Sequence, residues 1–336
     1  MINWGLAGCG DISNKRVAPA IKNQPDSTLL AVMSPYKEEL EGFMKRHSIP
    51  DGCLKLEDML NNQKIDAIYV ATPIFVHYEI ALQALRAGKH VLVEKPMAMK
   101  NEECEMLISE AEKQGVKLGV AYYRRFFPKM AEIRRLISEG VIGDLIGARI
   151  VFQSWYNPAK DDPKYWRVVK SKGGGGPLWD MGSHKLDMLI DLLGMPKSVS
   201  ALMSTQTHDY EVEDSCSALL ELENGGQCIA SFNWNSKVWA DEFVIIGTNG
   251  KIALNPCDGD SVELELVPSR MKGMGKEITT VMKFNAPNVH TPLIDDFTKA
   301  VVEGREPHIS GKEGYKTNKI LAAIEKASCT GKKIIL

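Results

Sequence analysis

The first third of the chain alternates short apolar runs with amphipathic segments, and this alternation restricts the fold more than any other feature. Strands and helices that follow one another at this spacing form a parallel, doubly wound sheet. The apolar runs are residues 2–7, 29–33, 67–71, 90–93 and 117–121. Because ligands of such sheets bind beyond the carboxyl ends of the strands, we expect four following segments to line one edge: residues 8–12, 34–37, 72–77 and 94–96.

The turn after the first run has a partial dinucleotide-binding fingerprint. Gly8 and Gly10 suit a tight turn and a close approach of the backbone to a pyrophosphate, whereas the third glycine position holds Ser13. A glycine-rich turn alone is weak evidence, and the strand and helix around it strengthen the interpretation. We assign dinucleotide contacts to Gly8, Cys9, Gly10, Asp11, Ile12, Ser34, Lys37, Thr72, Pro73, His77, Glu94 and Lys95.

Lys95 is the most informative residue of the predicted edge. It lies just after the fourth apolar run, and Pro96 restricts its backbone direction. This is the position at which the reactive ring of a bound cofactor would lie. A lysine that only contacts phosphate or solvent fits the same pattern.

A glycine run at residues 173–176 leads into a helical pattern that contains Asp180, His184 and Asp187. Residues four and three apart lie on one helix face. An imidazole beside a carboxylate can relay a proton near neutral pH, because the carboxylate stabilises the charged imidazole. The same spacing also fits a solvated helix face or a satisfied cap.

Length and composition set the outer limits of the interpretation. For 336 residues we predict two domains, a dinucleotide-binding domain over 1–122 and a second domain over 123–336 that includes two amphipathic tail helices. A net charge of -2 argues against a nucleic-acid partner. No apolar run could span a bilayer and no leader pattern opens the chain, so we expect a cytoplasmic protein without membrane contact. The seven cysteines and the histidines are dispersed, which predicts free thiols and no metal.

From residue 149 onward the pattern becomes strand-rich with a period of two, and turn signals at 224–226 and 248–250 predict hairpins. We expect helices around 128–139 and 182–193 to cover one face of this sheet. Apolar residues on its other face predict burial in a homodimer or homotetramer. The predicted fold is therefore α/β, with an N-terminal Rossmann domain and a C-terminal α+β domain that has a large, mostly antiparallel open sheet.

Aromatic residues and an arginine are concentrated on a loop-like segment between residues 155 and 173: Tyr156, Tyr165, Trp166 and Arg167. Aromatic faces beside a guanidinium suit the apolar ring faces and hydroxyl edges of a sugar. Packing of Trp166 in the core is the alternative.

Six motifs, in order, resemble those of the glucose-fructose oxidoreductase and inositol dehydrogenase family (Gfo/Idh/MocA): GLAGCGDIS, ATPIFVH, AGKHVLVEKPMA, YRRF, GGGGPLWDMGSHKLD and GKEGYKT. The resemblance implies hydride transfer between nicotinamide and a sugar, inositol or related polyol or keto sugar. It implies that His184 is the general acid/base, that Lys95 polarises the substrate oxygen, and that Asp180 orients His184 or binds a hydroxyl. We assign substrate contacts to Tyr123, Arg125, Trp166 and Arg167, and a structural role to Asp187.

Two alternatives share this fold. One is a relative that cleaves glycosides by transient oxidation with a retained nicotinamide, and the other is a redox sensor without catalytic activity. A sensor would not need Lys95, Asp180 and His184 together, so we rank the dehydrogenase first.

The end of the second apolar run bears on the choice of cofactor. A carboxylate there favours NAD, because it accepts a hydrogen bond from the ribose 2'-hydroxyl and repels the phosphate of NADP. This chain has Ser34 and Lys37, with Glu38 and Glu39 expected inside the next helix. We predict a modest preference for NADP, with NAD still used, although Pro35 stands where relatives with a similar strand end tend to carry arginine.

Overall fold

The computed structural model describes residues 1–267, 278–285 and 288–336. The chain divides into two compact units. The first comprises Met1–Tyr123 and Asn288–Asn318, and the second comprises Arg124–Pro287 and Lys319–Leu336.

The strands and helices are numbered in chain order. The strands are β1 (Ile2–Ala7), β2 (Ser27–Met33), β3 (Asp51–Cys53), β4 (Ala67–Val70), β5 (His90–Val93), β6 (Leu118–Val120), β7 (Leu145–Trp155), β8 (Ser198–Ser204), β9 (Ser215–Glu221), β10 (Gln227–Asn233), β11 (Asn235–Gly247), β12 (Gly250–Leu254), β13 (Ser261–Leu266), β14 (Ile278–Lys283) and β15 (Ile334–Ile335). The α-helices are α1 (Ala18–Lys22), α2 (Lys37–His47), α3 (Leu56–Leu60), α4 (His77–Arg86), α5 (Asn101–Gln114), α6 (Pro128–Ser138), α7 (Lys170–Gly173), α8 (Ser183–Leu193), α9 (Thr291–Glu303) and α10 (Gly311–Thr330).

The first unit contains a six-stranded sheet in the order β3-β2-β1-β4-β5-β6. Every neighbouring pair is parallel, which confirms the predicted doubly wound sheet. The sequence interpretation missed β3, which pairs through Ala31 and Asp51. This strand has only three residues, Asp-Gly-Cys, and such a short polar run carries no hydrophobic period.

Helix α9 packs in the core of the first unit, whereas the prediction placed it in the second domain. Its Phe297 is 1% exposed, and its ring centroid lies 5.5 Å from that of Trp4 on β1. A Cβ at Gly119 on β6 would lie 2.9 Å from the Phe297 ring. The amphipathic pattern identified a helix with a buried face, but such a pattern does not say which sheet the helix covers.

The second unit contains a nine-stranded sheet in the order β14-β13-β12-β11-β7-β10-β9-β8-β15. Its pairs are antiparallel except for β7 with β10, which confirms a mostly antiparallel sheet. Both predicted hairpins are present, between β9 and β10 and between β11 and β12. Alternate residues face inward, so that Leu220 is fully buried while Leu219 is 45% exposed.

Within the described residues, no helix has the length and apolarity to cross a membrane. The same part of the chain holds no group of three or more His, Cys, Asp or Glu residues that could bind a metal ion. All seven cysteines are free thiols, and five of them are buried.

Candidate active site

Four predicted edge segments follow β2, β1, β4 and β5, which are neighbours in the first sheet. Gly8 lies at the centre of this edge, and its N–H donates to the carbonyl of Met33 at 2.9 Å. Gly8 has a φ of +108°, and a Cβ there would lie 2.6 Å from the carbonyl oxygen of Ala71. Only glycine combines this backbone conformation with this close approach.

The two other fingerprint positions also fit a dinucleotide. A Cβ at Gly10 would meet no protein atom within 4 Å, so the backbone there is open to a ligand. Ser13 is fully buried, in a π-helical turn (Ser13–Val17) that leads into α1. The third position requires a small side chain for close helix packing, and serine meets that requirement. Gly8, Gly10 and Ser13 could therefore hold the pyrophosphate of a dinucleotide.

The end of β2 differs from its prediction in one respect that affects cofactor choice. Glu38 and Glu39 lie in α2, as expected, but the carboxylate of Glu39 reaches back to the strand end. The hydroxyl of Ser34 donates to Oε2 of Glu39 at 2.7 Å. Lys37, the cation behind the predicted preference for NADP, lies 3.8 Å from Glu41 and is exposed. One carboxylate of the next helix, that of Glu39, therefore does reach the end of β2.

His77 braces two loops of the edge. It is 1% exposed, with Nδ1 at 3.0 Å from the Pro96 carbonyl oxygen and Nε2 at 2.9 Å from that of Thr72. Burial lowers the pKa of His77 despite these carbonyl contacts. Its ring therefore fixes the segment that precedes α4 and the segment that follows β5. Any influence of His77 on a cofactor would be indirect, through the position of these two segments.

Glu94 lies beneath the edge, whereas its neighbour Lys95 is only partly buried. The Tyr69 hydroxyl donates to Oε1 of Glu94 at 2.9 Å, and Nε2 of His290 lies 3.6 Å from the same oxygen. Burial by itself would raise the pKa of Glu94, but His290, Tyr69 and Lys95 outweigh it and lower the pKa. The ring of Tyr123 packs at 4.4 Å from that of His290. The buried carboxylate also supports the backbone at Lys95, because its Oε2 accepts a hydrogen bond from the Lys95 N–H at 3.3 Å.

In the second unit, Asp180 and His184 lie on a helical segment that begins differently from its prediction. A π-helical turn, Leu178–Gly182, precedes α8, and such a turn holds more residues than an α-helical turn. Asp180 thus lies in the π-helical turn and His184 in the first turn of α8. Oδ2 of Asp180 accepts a hydrogen bond from Arg167 at 3.0 Å, while His184 is 4% exposed.

Trp166 and Arg167 lie together beside Asp180. The guanidinium carbon of Arg167 is 5.5 Å from the centroid of the Trp166 ring. Trp166 is only half-buried, so it is not a core residue. The structure thus brings together three predicted residues of the second unit, Asp180, Trp166 and Arg167, in one ionic and aromatic cluster.

Arg125 and Asp187 form a buried ion pair. Nε of Arg125 lies 3.0 Å from both carboxylate oxygens, and Nη2 lies 2.7 Å from Oδ1. Their side chains are 4% and 1% exposed. This pairing leaves the predicted substrate contact of Arg125 without structural support, and it agrees with a structural role for Asp187. Lys185, between His184 and Asp187, pairs with the buried Asp241 in the same way.

Glu213 supports the π-helical segment that precedes His184, and the sequence interpretation missed it. Its carboxylate accepts a hydrogen bond from the N–H of Leu178 at 3.3 Å, at the start of the π-helical turn. A Cβ at Gly176 would lie 1.9 Å from the Glu213 carbonyl oxygen, so the glycine run permits this contact. Burial raises the pKa of Glu213 to about 7. The only sequence signal was an acidic run at residues 211–214, which reads as a solvated loop.

We expect replacement of Glu213 to change how stability depends on pH. In the folded protein the Glu213 carboxyl stays protonated up to about pH 7, whereas a free carboxyl loses its proton near pH 4.5. The folded state binds more protons between these values, so stability falls as pH rises through that window. For Glu213→Gln the free energy of unfolding relative to wild type should therefore rise by about 3 kcal/mol between pH 4.5 and pH 8.

Urea denaturation across this pH range measures the difference. Glu223→Gln, at an exposed hairpin position, is the matched control and should change little with pH. A wild-type to Glu213→Gln difference that stays constant with pH would contradict the assignment.

Comparison with known proteins identifies both parts of the chain. Residues 2–122 match the family model "Oxidoreductase family, NAD-binding Rossmann fold". Residues 130–253 match the model of the GFO/IDH/MocA C-terminal domain.

Individual relatives agree with these matches over most of the chain. Oxidoreductase P35 of Formosa agariphila is 32% identical over 76% of this chain and 79% of its own length. The 1,5-anhydro-D-fructose reductase of Ensifer adhaerens is 28% identical over 98% of this chain and 97% of its own. The aldose-aldose oxidoreductase of Caulobacter crescentus, solved with glycerol, superposes with a TM-score of 0.89 at 26% identity, covering 100% of this chain and 99% of that one. The family inferred from the motifs is confirmed, and the chain belongs to the GFO/IDH/MocA oxidoreductases.

Proposed function

We propose that this oxidoreductase moves a hydride between nicotinamide and a carbon that bears a hydroxyl or keto oxygen in a sugar, inositol or related polyol. The main support for the proposal is the edge of the parallel sheet, where position 8 has no room for a side chain and Lys95 lies two residues beyond the end of β5. A glycine in this turn allows a pyrophosphate to approach the backbone. A lysine after β5, two strands away from β1, could stabilise charge on a reacting oxygen.

The bound nicotinamide would supply or accept the hydride. The chain's own residues would handle the proton and the charge of the substrate oxygen. Lys95 would donate a hydrogen bond to that oxygen and stabilise negative charge on it, and Glu94 would hold the backbone of Lys95. His184 would take the hydroxyl proton in the oxidative direction and return it in reduction.

Asp180 would act with Arg167 rather than as an isolated acid. The 3.0 Å ion pair fixes both side chains beside Trp166, where they would contact substrate hydroxyls. The half-buried ring of Trp166 would offer an apolar face to a sugar ring. Similarity to a 1,5-anhydro-D-fructose reductase and to an aldose-aldose oxidoreductase supports a carbohydrate substrate.

The second sheet also supports a proposal about assembly. Its open face carries exposed apolar side chains on neighbouring strands, including Leu202 at 76%, Leu219 at 45% and Ile229 at 59%. A contiguous apolar face of this kind is usually buried against a partner. A second copy of the chain, in a homodimer or in a tetramer of dimers, would cover it through closed symmetry.

The location proposed from the sequence is the cytoplasm. Seven free thiols in this chain fit a reducing compartment better than an oxidising one. A carbohydrate oxidoreductase that uses a soluble nicotinamide would find its cofactor there.

Lys95→Ala tests the catalytic assignment. We expect binding of reduced nicotinamide cofactor, measured by fluorescence, to stay within a few-fold of wild type. Turnover should fall by roughly two to four orders of magnitude, because a lost electrostatic or acid/base group usually has that effect. Lys100→Ala, an exposed lysine that follows the same strand, should keep near-normal turnover. Near-normal turnover in Lys95→Ala would refute the role.

Ile229→Glu tests the proposed assembly. A charge on the open face should prevent its burial, so light scattering of the variant should give the 37.2 kDa mass of one chain while wild type gives a multiple of it. Val302→Glu, on the exposed side of α9, is the control and should keep the wild-type mass. A wild-type protein that is monomeric at micromolar concentration would contradict the proposal.

A further inference from the structure

The carboxylate of Glu39 stands at the end of β2, where dinucleotide-binding sheets discriminate between NAD and NADP. We infer that Glu39 selects NAD, and that the wild-type protein binds NADH more tightly than NADPH. This inference rests on the proposed nicotinamide-dependent function, and it replaces the preference for NADP that the sequence suggested.

Geometry brings Glu39 to this position although it lies five residues beyond the strand-end serine. Ser34 is 2% exposed and directly follows β2, and α2 begins at Lys37 after a short turn. Oε2 of Glu39 accepts the Ser34 hydroxyl at 2.7 Å, while the Glu39 side chain remains largely exposed. A carboxylate in this position can accept a hydrogen bond from a ribose 2'-hydroxyl.

The hydrogen bond also changes what Ser34 can offer to a ligand. A hydroxyl has one proton to donate, and Ser34 gives it to Glu39 while its oxygen accepts the N–H of Tyr36 at 3.3 Å. A 2'-phosphate needs donors, and Ser34 has none left for it. The serine thus orients a carboxylate instead of binding a phosphate.

Lys37, the cation at this end of the sheet, does not offset the negative charge of Glu39. Lys37 is 75% exposed and lies 3.8 Å from Glu41, so its charge is solvated and partly neutralised within its own helix. The charge of Glu39 is also felt in the glycine turn. Burial, together with the negative charge of Glu39, raises the pKa of the Cys9 thiol to about 12. A phosphate near Cys9 and Ser34 would therefore be repelled by Glu39.

A purely structural role for Glu39 makes a different prediction. Glu39 is the third residue of α2, where a carboxylate interacts favourably with the helix dipole, and the Ser34 bridge caps the N–H of Tyr36. If that were its whole role, its replacement would lower the melting temperature and leave the ratio of the two cofactor affinities unchanged.

Equilibrium binding of NADH and NADPH to the full-length chain, followed by nicotinamide fluorescence, separates these roles. Wild type should bind NADH at least tenfold more tightly than NADPH, which corresponds to about 1.4 kcal/mol. Glu39→Gln keeps the size and a hydrogen-bonding group but removes the charge, and should reduce the ratio at least fivefold, mainly by strengthening NADPH binding. Glu38→Gln removes the neighbouring charge on α2 and should leave the ratio unchanged.

Each other result has a definite meaning. Equal affinities in wild type, tighter binding of NADPH, or a ratio that Glu39→Gln does not alter would overturn the role of Glu39 and leave the proposed function standing. Failure of wild type to bind either cofactor would contradict the proposed function and this inference together.

Discussion

The close contact between Gly8 and the carbonyl of Ala71 determines how the first unit can work. At this point β1 ends between β2 and β4. The backbone turns so close to Ala71 that a Cβ at position 8 would lie only 2.6 Å from the Ala71 carbonyl oxygen. Any side chain would push the strands apart or block the approach of a ligand. Ser34 and Thr72 follow the two strands that pair with β1, and Lys95 follows β5, the next strand along the same edge.

The helical segment that carries His184 is held by buried polar and charged side chains as well as by apolar packing. Glu213 accepts an N–H at the start of the π-helical turn, and two ion pairs, Asp187 with Arg125 and Lys185 with Asp241, flank the first turns of α8. Loss of one partner of a buried pair leaves an uncompensated charge and costs about 3–5 kcal/mol. Such pairs fix a helix in one position, and His184 immediately precedes Lys185, the first of the two helix residues that form them.

Sequence patterns predicted the parallel sheet, both hairpins and the edge that carries Lys95, because apolar period and glycine position act locally. They missed β3, which is short and polar. They also grouped α9 with the second domain, whereas it lies in the first compact unit, because an amphipathic pattern does not show which sheet a helix covers. The reach of Glu39 to Ser34 and the burial of Glu213 depend on tertiary contacts. A local sequence pattern does not show that the carboxylate of Glu39 reaches Ser34, or that the carboxyl of Glu213 reaches Leu178.

The central claim is that hydride passes between the nicotinamide and a carbon of a carbohydrate. Incubation of the protein with NADH deuterated at the transferable C4 position, together with a panel of keto sugars and inososes, tests it by mass spectrometry and NMR of the products. We expect deuterium on the newly formed carbinol carbon, in proportion to the cofactor oxidised, and roughly a hundredfold less, or lower still, in the same time with Lys95→Ala. Products formed without deuterium, or a cofactor that is never consumed with any substrate of the panel, would contradict it.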